Sequence, residues 1–297
     1  MRHAYLIVAY KNPKQLEVLV RLLDDSRNDI YIMIDKKSEG FPKNLRGTYS
    51  KVIYVEPIPI YWGNYTQIEA ELKLFKAAVN GNYGYFHILS GMDLPLTNQD
   101  IIHEFFDSHP GHEFLTYSSG VSQEQIYMRV YPHHFRNTYR KKTLLAYFWR
   151  KYEINHIYSV LKKHPEKKNH IELVFASQFM TIEKQLVEKI IENEKFIYDT
   201  FYRGYCVDEL FVPTILRKYT KLEEKVYNHR PIHDVPFEMQ GNLRYINWWG
   251  GRPYTWRAKD FEHLMKARDL GFMFARKFDA QIDDEIITKV ANSIRKL

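Results

Sequence analysis

The sequence predicts an α/β protein built on a mostly parallel sheet, on three observations. Short apolar runs alternate with stretches of helical period through the first hundred residues, the alternation returns after about residue 170, and no internal repeat or Gly/Ser-rich linker divides the chain. The run 3–9 is compact and apolar, closed by Lys11-Asn12-Pro13, and reads as a first strand. Leu16, Leu19, Val20 and Leu23 follow at helical spacing. Residues 29–35 and 51–55 are further strands. Thr66-Gln67-Ile68-Glu69 has the form of a capping box, and the helix it opens carries Ile68, Leu72, Phe75 and Val79 on one face. Residues 84–90 give another strand, and Thr97-Asn98-Gln99-Asp100 starts a helix carrying Ile101, Ile102, Phe105 and Phe106. In the second half, 175–182 and 243–249 read as strands, and 183–193, 208–218, 260–267 and 283–294 as helices. Sheets of this kind bind ligands at the carboxyl ends of their strands.

The 297 residues include 43 Lys+Arg and 36 Asp+Glu, a net +7. Between Arg136 and Lys168 ten bases face two acids, so that segment is +8 and the remainder is −1. The excess is local, which argues against a nucleic-acid-binding protein. Leu144, Leu145, Tyr147, Phe148 and Trp149 lie among those cations and suit an interfacial helix on an anionic membrane. A solvated basic helix packing its aromatics on the core accounts for the same pattern. At 45% hydrophobic and 27% charged the chain is globular, and its single Cys206 excludes an internal disulfide and a cysteine-based zinc site. The first apolar run is too short for a signal peptide, and no window approaches the ~20 apolar residues of a membrane span. The expected location is the cytoplasm, with 136–168 touching the inner face of the membrane.

Several chemistries are absent by motif. There is no G-x-x-x-x-G-K-[ST] loop, no G-x-G-x-x-G and no H-E-x-x-H. His229 and His233 are separated by Pro231, and with His133-His134 they read as loop histidines rather than a metal pair. Asp-x-Asp is also missing. No metal or other cofactor is expected, and a bound diphosphate would be held by cationic side chains or helix N-termini.

Four segments carry more specific chemistry. Residues 90–95, with Ser90 and Asp93, form either a ligand-facing loop at a strand's carboxyl end or an ordinary turn. Asp208 and Glu209 are adjacent carboxylates at the head of an expected helix, as capping acids or as a base whose proton affinity is raised by neighbouring Leu210, Phe211 and Val212. Arg244 sits in an aromatic, strand-like run that includes Trp248; a charge there needs a partner, and phosphate suits a guanidinium. Arg276 and Lys277 lie between aromatics, as anion ligands or as snorkelling surface side chains.

HAYLIVAYKNP, WGNYT, HILSGMDLPLTN, ASQFMTI, VDELFVPTIL, LRYINW and FARKFD occur in this order from His3 to Asp279. The ordered set resembles the core-2/I-branching β-1,6-N-acetylglucosaminyltransferase family, which includes the peptide O-xylosyltransferases. The resemblance implies a single GT-A-type catalytic domain over 1–297: a nucleotide-binding half to about 120, the basic aromatic insertion 136–168, and an acceptor side from about 170 with the base and the diphosphate ligands. It implies inverting, metal-independent transfer from a UDP-sugar to a glycan hydroxyl, with Glu209 as catalytic base and Arg244 and Lys277 on the diphosphate. Val8, Ala9, Tyr10 and Asp35 fall on the uridine side, and Ser90, Asp93, Asp208, Trp248 and Arg276 complete the expected substrate-binding set. Animal members are membrane-anchored and disulfide-bonded, whereas one cysteine and no anchor fit a bacterial-type relative. The expected donor is UDP-N-acetylglucosamine, with UDP-xylose or another UDP-sugar as alternative, and the expected acceptor is a surface glycan, free or lipid-linked. A carbohydrate- or polyanion-binding protein without activity is the competing reading.

Overall fold

The first strand shows how the architecture is organised. In β1 (His3–Ala9) the side chains alternate between two apolar layers, Ala4 and Leu6 in one and Tyr5, Ile7 and Ala9 in the other. A strand buried on both faces needs covering elements on both, which a parallel sheet with crossover helices supplies. Helix α1 (Pro13–Leu23) covers one face with Leu16, Leu19, Val20 and Leu23, and α2 (Thr66–Ala78) the other with Ile68, Leu72 and Phe75. Each such side chain contributes about 1.5–3 kcal/mol of burial.

The computed structural model describes residues 1–118, 121–130, 152, 172–230, 235–250 and 253–295. The basic segment 136–168, apart from Tyr152, lies outside the described residues, as do His133, His134 and His233. Among the described residues β2 (Asn28–Ile34), β3 (Lys51–Tyr54), β4 (Tyr85–Ser90) and β6 (Thr181–Glu183) join β1 in the order β3-β2-β1-β4-β6. All neighbours are parallel except β4 and β6. A second sheet, β5-β8-β7, is built from β5 (Asp93–Pro95), β7 (Arg244–Ile246) and β8 (Phe274–Arg276). Helices α3 (Gln99–Ser108), α4 (Gln123–Val130), α5 (Lys184–Glu192), α6 (Glu194–Phe201), α7 (Phe211–Tyr219), α8 (Phe261–Asp269) and α9 (Asp284–Arg295) complete the frame. The parallel sheet flanked by helices is the fold class the sequence predicts.

Four local expectations are corrected. Residues 90–95 do not form a loop throughout, because Asp93–Pro95 pairs with Phe274–Arg276. The strand expected over 175–182 shrinks to Thr181–Glu183, since the amides of Ala176 and Ser177 bond to the carbonyls of Glu209 and Thr116 instead. The helix expected from 208 begins at Phe211, leaving Asp208 and Glu209 in the turn before it. The capping box at Thr66 does not form; its hydroxyl accepts from the Tyr61 amide at 2.9 Å and closes the preceding loop.

Buried titratable groups mark the seams. His87 bonds His3 and Thr181, joining β4 to β1 and β6, and burial holds His87 and His3 well below the ordinary histidine range. Glu113 accepts from the Glu183 amide at 3.0 Å, and burial pushes its carboxyl up to about 8. An unfolded glutamate titrates near ~4.3, so ionising Glu113 costs the folded state progressively between the two values. Glu113→Gln is expected to unfold at nearly the wild-type urea midpoint at pH 4, and then gain on the wild type up to about pH 8 by on the order of a few kcal/mol. A midpoint difference that is flat from pH 4 to 8.5 would contradict this.

Candidate active site

The carboxyl ends of β1 and β4 meet at one edge of the main sheet. The Gly91 amide donates to the Val8 carbonyl at 2.9 Å, and a Cβ at Gly91 would stand 3.3 Å from that of Ala9, so only glycine permits this approach without displacement. Tyr10 emerges 41% exposed just beyond. Asp35 does not face a ligand with a free carboxylate. Its oxygens accept from the Lys37 and Ile60 amides at 3.1 Å and pair with the Lys37 ammonium at 2.5 Å, so it ties the loops after β2 and β3 together.

Beside that edge the second sheet brings cations and acids into register. Asp93 is the direct cross-strand partner of Arg276. Its carboxylate accepts from the Ser90 amide at 2.6 Å and lies 3.3 Å from Arg276 Nη1; burial raises its pKa and Arg276 opposes the rise. The Arg276 guanidinium stacks 3.5 Å from the Phe179 ring centroid. Lys277 is half-buried and makes no ion pair among the described residues. Burial, then the neighbouring Arg276 charge, lowers its pKa, which marks an ammonium in need of an anion. Lys11 and Asn12 close the group by holding Asp279 at 2.6 and 2.7 Å. Tyr10 belongs to the same electrostatic cluster: burial raises its phenol pKa, and Arg276, Asp93, Lys11 and Asp279 act on it in turn.

Arg244 is placed differently from a surface phosphate ligand. It is 2% exposed, donates to the Asn242 and Met180 carbonyls at 2.6 and 3.0 Å, and stacks 4.6 Å from the Phe274 centroid. Burial lowers its pKa to about 9. Among the described residues its Nε has no hydrogen-bond partner.

Glu209 and Asp208 diverge although adjacent. Asp208 is buried, accepts from Gln67 Nε2 at 2.9 Å, and is pushed up to about 7 by burial and then by the Glu209 charge. Glu209 keeps 29% of its side chain exposed and pairs with Arg129 Nη1 on α4 at 2.7 Å. Burial raises its pKa and Arg129 opposes the rise. Two neighbouring carboxylates are thereby separated into an inward one whose proton affinity burial raises and a more accessible one paired with a cation.

Residues 176–180 connect the halves. The Ala176 amide donates to the Glu209 carbonyl at 3.0 Å, Gln178 donates to buried Glu71 at 2.7 Å, Phe179 lies under Arg276, and the Met180 carbonyl accepts from Arg244. Sequence reasoning quoted this stretch as a motif without assigning it a role. It also missed Arg129, Gln67, Lys11, Asn12 and Asp279. The motif containing Gln67 and the Lys11-Asn12 turn were visible, whereas nothing local in the α4 sequence marks Arg129 as the partner of a residue 80 positions away.

The Core-2/I-Branching enzyme family model matches residues 3–273. No curated protein sequence matches significantly. Among solved structures, the apo form of mouse xyloside xylosyltransferase 1 is similar at 13% identity and a TM-score of 0.37, over 92% of this chain and 97% of that one. The apo-form glycosyltransferase GlyE of Streptococcus pneumoniae TIGR4 is similar at 10% identity and 0.39, over 100% of this chain and 64% of that one. Among the described residues no helix is long and apolar enough to cross a membrane, and no group of three or more His, Cys, Asp or Glu is placed to hold a metal.

Proposed function

The chain belongs to the core-2/I-branching family of glycosyltransferases, and from that premise we propose that it moves N-acetylglucosamine from UDP to a glycan hydroxyl by in-line inversion without a metal ion. The acceptor hydroxyl attacks the anomeric carbon as the bond to the diphosphate oxygen breaks. Glu209 takes the hydroxyl proton, which its partial exposure and its pairing with Arg129 allow. Negative charge gathers on the departing UDP, where Lys277 and Arg276 stabilise it and Arg244 adds a buried charge behind them. The acceptor is a bacterial surface glycan.

The observation that most supports this reading is the 176–180 segment, which touches the backbone of the base at one end and the guanidinium of Arg276 near the other. Base and cations are thus fixed on one support, as an in-line reaction requires. Incubation with UDP-N-acetylglucosamine and a glycan acceptor is expected to release UDP at the same rate with and without EDTA. A large loss restored by Mn²⁺ would overturn the metal-free step, and no UDP release from any UDP-sugar would overturn the enzyme reading.

A further inference from the structure

Helix α2 places two polar side chains one turn apart on one face, Gln67 and Glu71, and both reach elements of the proposed site. Gln67 Nε2 donates to Asp208 Oδ2 at 2.9 Å, in the turn that carries Glu209, and Glu71 Oε1 accepts from Gln178 Nε2 at 2.7 Å. Glu71 is only 3% exposed, its neighbours one turn away, Ile68 and Phe75, are core residues, and its Oε2 has no hydrogen-bond partner among the described residues. Burial raises its pKa well above the ordinary glutamate range; Gln178 opposes the rise and the Asp208 charge adds to it. A leucine here would bury apolar surface without that cost, so packing alone does not account for an acid at this position. Departures of this kind from what stability favours concentrate where function requires them.

Gln178 shows what the carboxyl holds. Its backbone makes no hydrogen bond among the described residues, so its side chain is its tie to the frame. On one side of it the Ala176 amide donates to the Glu209 carbonyl at 3.0 Å. On the other, the Phe179 ring centroid lies 3.5 Å from the Arg276 guanidinium and the Met180 carbonyl accepts from Arg244 at 3.0 Å. One bond at the middle of this stretch therefore sets the spacing of base and cations, and an in-line displacement is sensitive to such spacing at the ångström level. We infer that Glu71 is a positioning residue for transfer, acting through Gln178 to hold the 176–180 support where Glu209 and the diphosphate cations are aligned. The inference rests on the transfer mechanism proposed above.

Initial rates of UDP release with UDP-N-acetylglucosamine and a glycan acceptor, together with UDP titration calorimetry, test it on the full chain in Glu71→Gln, Glu71→Ala, Gln178→Ala and the double alanine variant. The glutamine keeps an oxygen for Gln178, and its kcat is expected within about twofold of the wild type. Each alanine variant is expected to lower kcat by about 10- to 100-fold. UDP is expected to bind every chain in these variants with a Kd within about threefold of the wild-type value, which separates lost alignment from lost fold. The double variant loses no more than the worse single one, since both remove the same tie. Gln178→Ala removes that tie without emptying a core position, so it carries the test should Glu71→Ala fail to fold. Glu71→Gln as slow as Glu71→Ala, an unchanged kcat in Gln178→Ala, or a double variant whose loss is the product of the two single losses would overturn the positioning role. No UDP release by the wild-type chain from any UDP-sugar is the distinct result that removes the transfer reading itself.

Discussion

Replacing Glu209 by Gln lowers kcat by on the order of 10³-fold or more while the Kd for UDP stays within about twofold. General-base assistance contributes ~10²–10⁴-fold, and an amide cannot accept the acceptor's proton at neutral pH. The glutamine keeps the shape of the side chain and an oxygen for Arg129, whose contact with Glu209 is 2.7 Å. The fold and the diphosphate site are therefore left in place, and urea midpoints near the wild-type value check that. Two opposing influences set the pH dependence of the wild type: burial raises the Glu209 pKa and Arg129 lowers it. Base catalysis needs the ionised form, so the rate falls as pH drops through that pKa, and the low-pH limb is lost in the glutamine variant. Full activity of Glu209→Gln would remove this residue from the mechanism.

Lys277→Ala lowers kcat by about 10²–10³-fold, the usual loss when one preorganised group facing transition-state charge is removed. The side chain makes no ion pair among the described residues, and the contacts that fix this position are made by its backbone: the Trp256 amide donates to the Lys277 carbonyl at 2.9 Å. The variant therefore folds like the wild type, and the loss is read as chemistry. Binding of UDP weakens less than kcat falls, because the charge on the leaving group grows during bond breaking. The depressed pKa of Lys277 places the alkaline loss of activity below the ordinary lysine range. Stopped kinetics with equal losses in kcat and UDP affinity would instead assign Lys277 to ground-state binding alone.

The parts of the fold legible in the sequence were those whose neighbours are apolar and whose period is strict. Strand β1 was read at its observed limits, because every side chain from His3 to Leu6 is buried on one face or the other. The strand expected over 175–182 is realised only from Thr181, because the apolar content before it matches a strand while the amides of Ala176 and Ser177 bond to the carbonyls of Glu209 and Thr116 rather than to a sheet neighbour. Asp208 and Glu209 could be paired from sequence, but their separation into a buried and an accessible carboxylate depends on Gln67 and Arg129, which lie 141 and 80 positions away. The burial of Arg244 was likewise invisible, since the carbonyls that receive its guanidinium belong to Asn242 and to Met180 on a different segment. Ordered motifs therefore marked the candidate residues, and long-range packing decided their burial and their partners.

The anomeric configuration of the glycosidic bond formed on the acceptor, read by proton NMR from its anomeric coupling constant, is the most direct test of single-displacement transfer. In the proposed mechanism a single base, Glu209, takes the acceptor's proton while Arg276 and Lys277 receive the leaving diphosphate, so one displacement suffices. The expected product has an anomeric configuration opposite to that of the UDP-sugar supplied. Retention of the donor's configuration would contradict it.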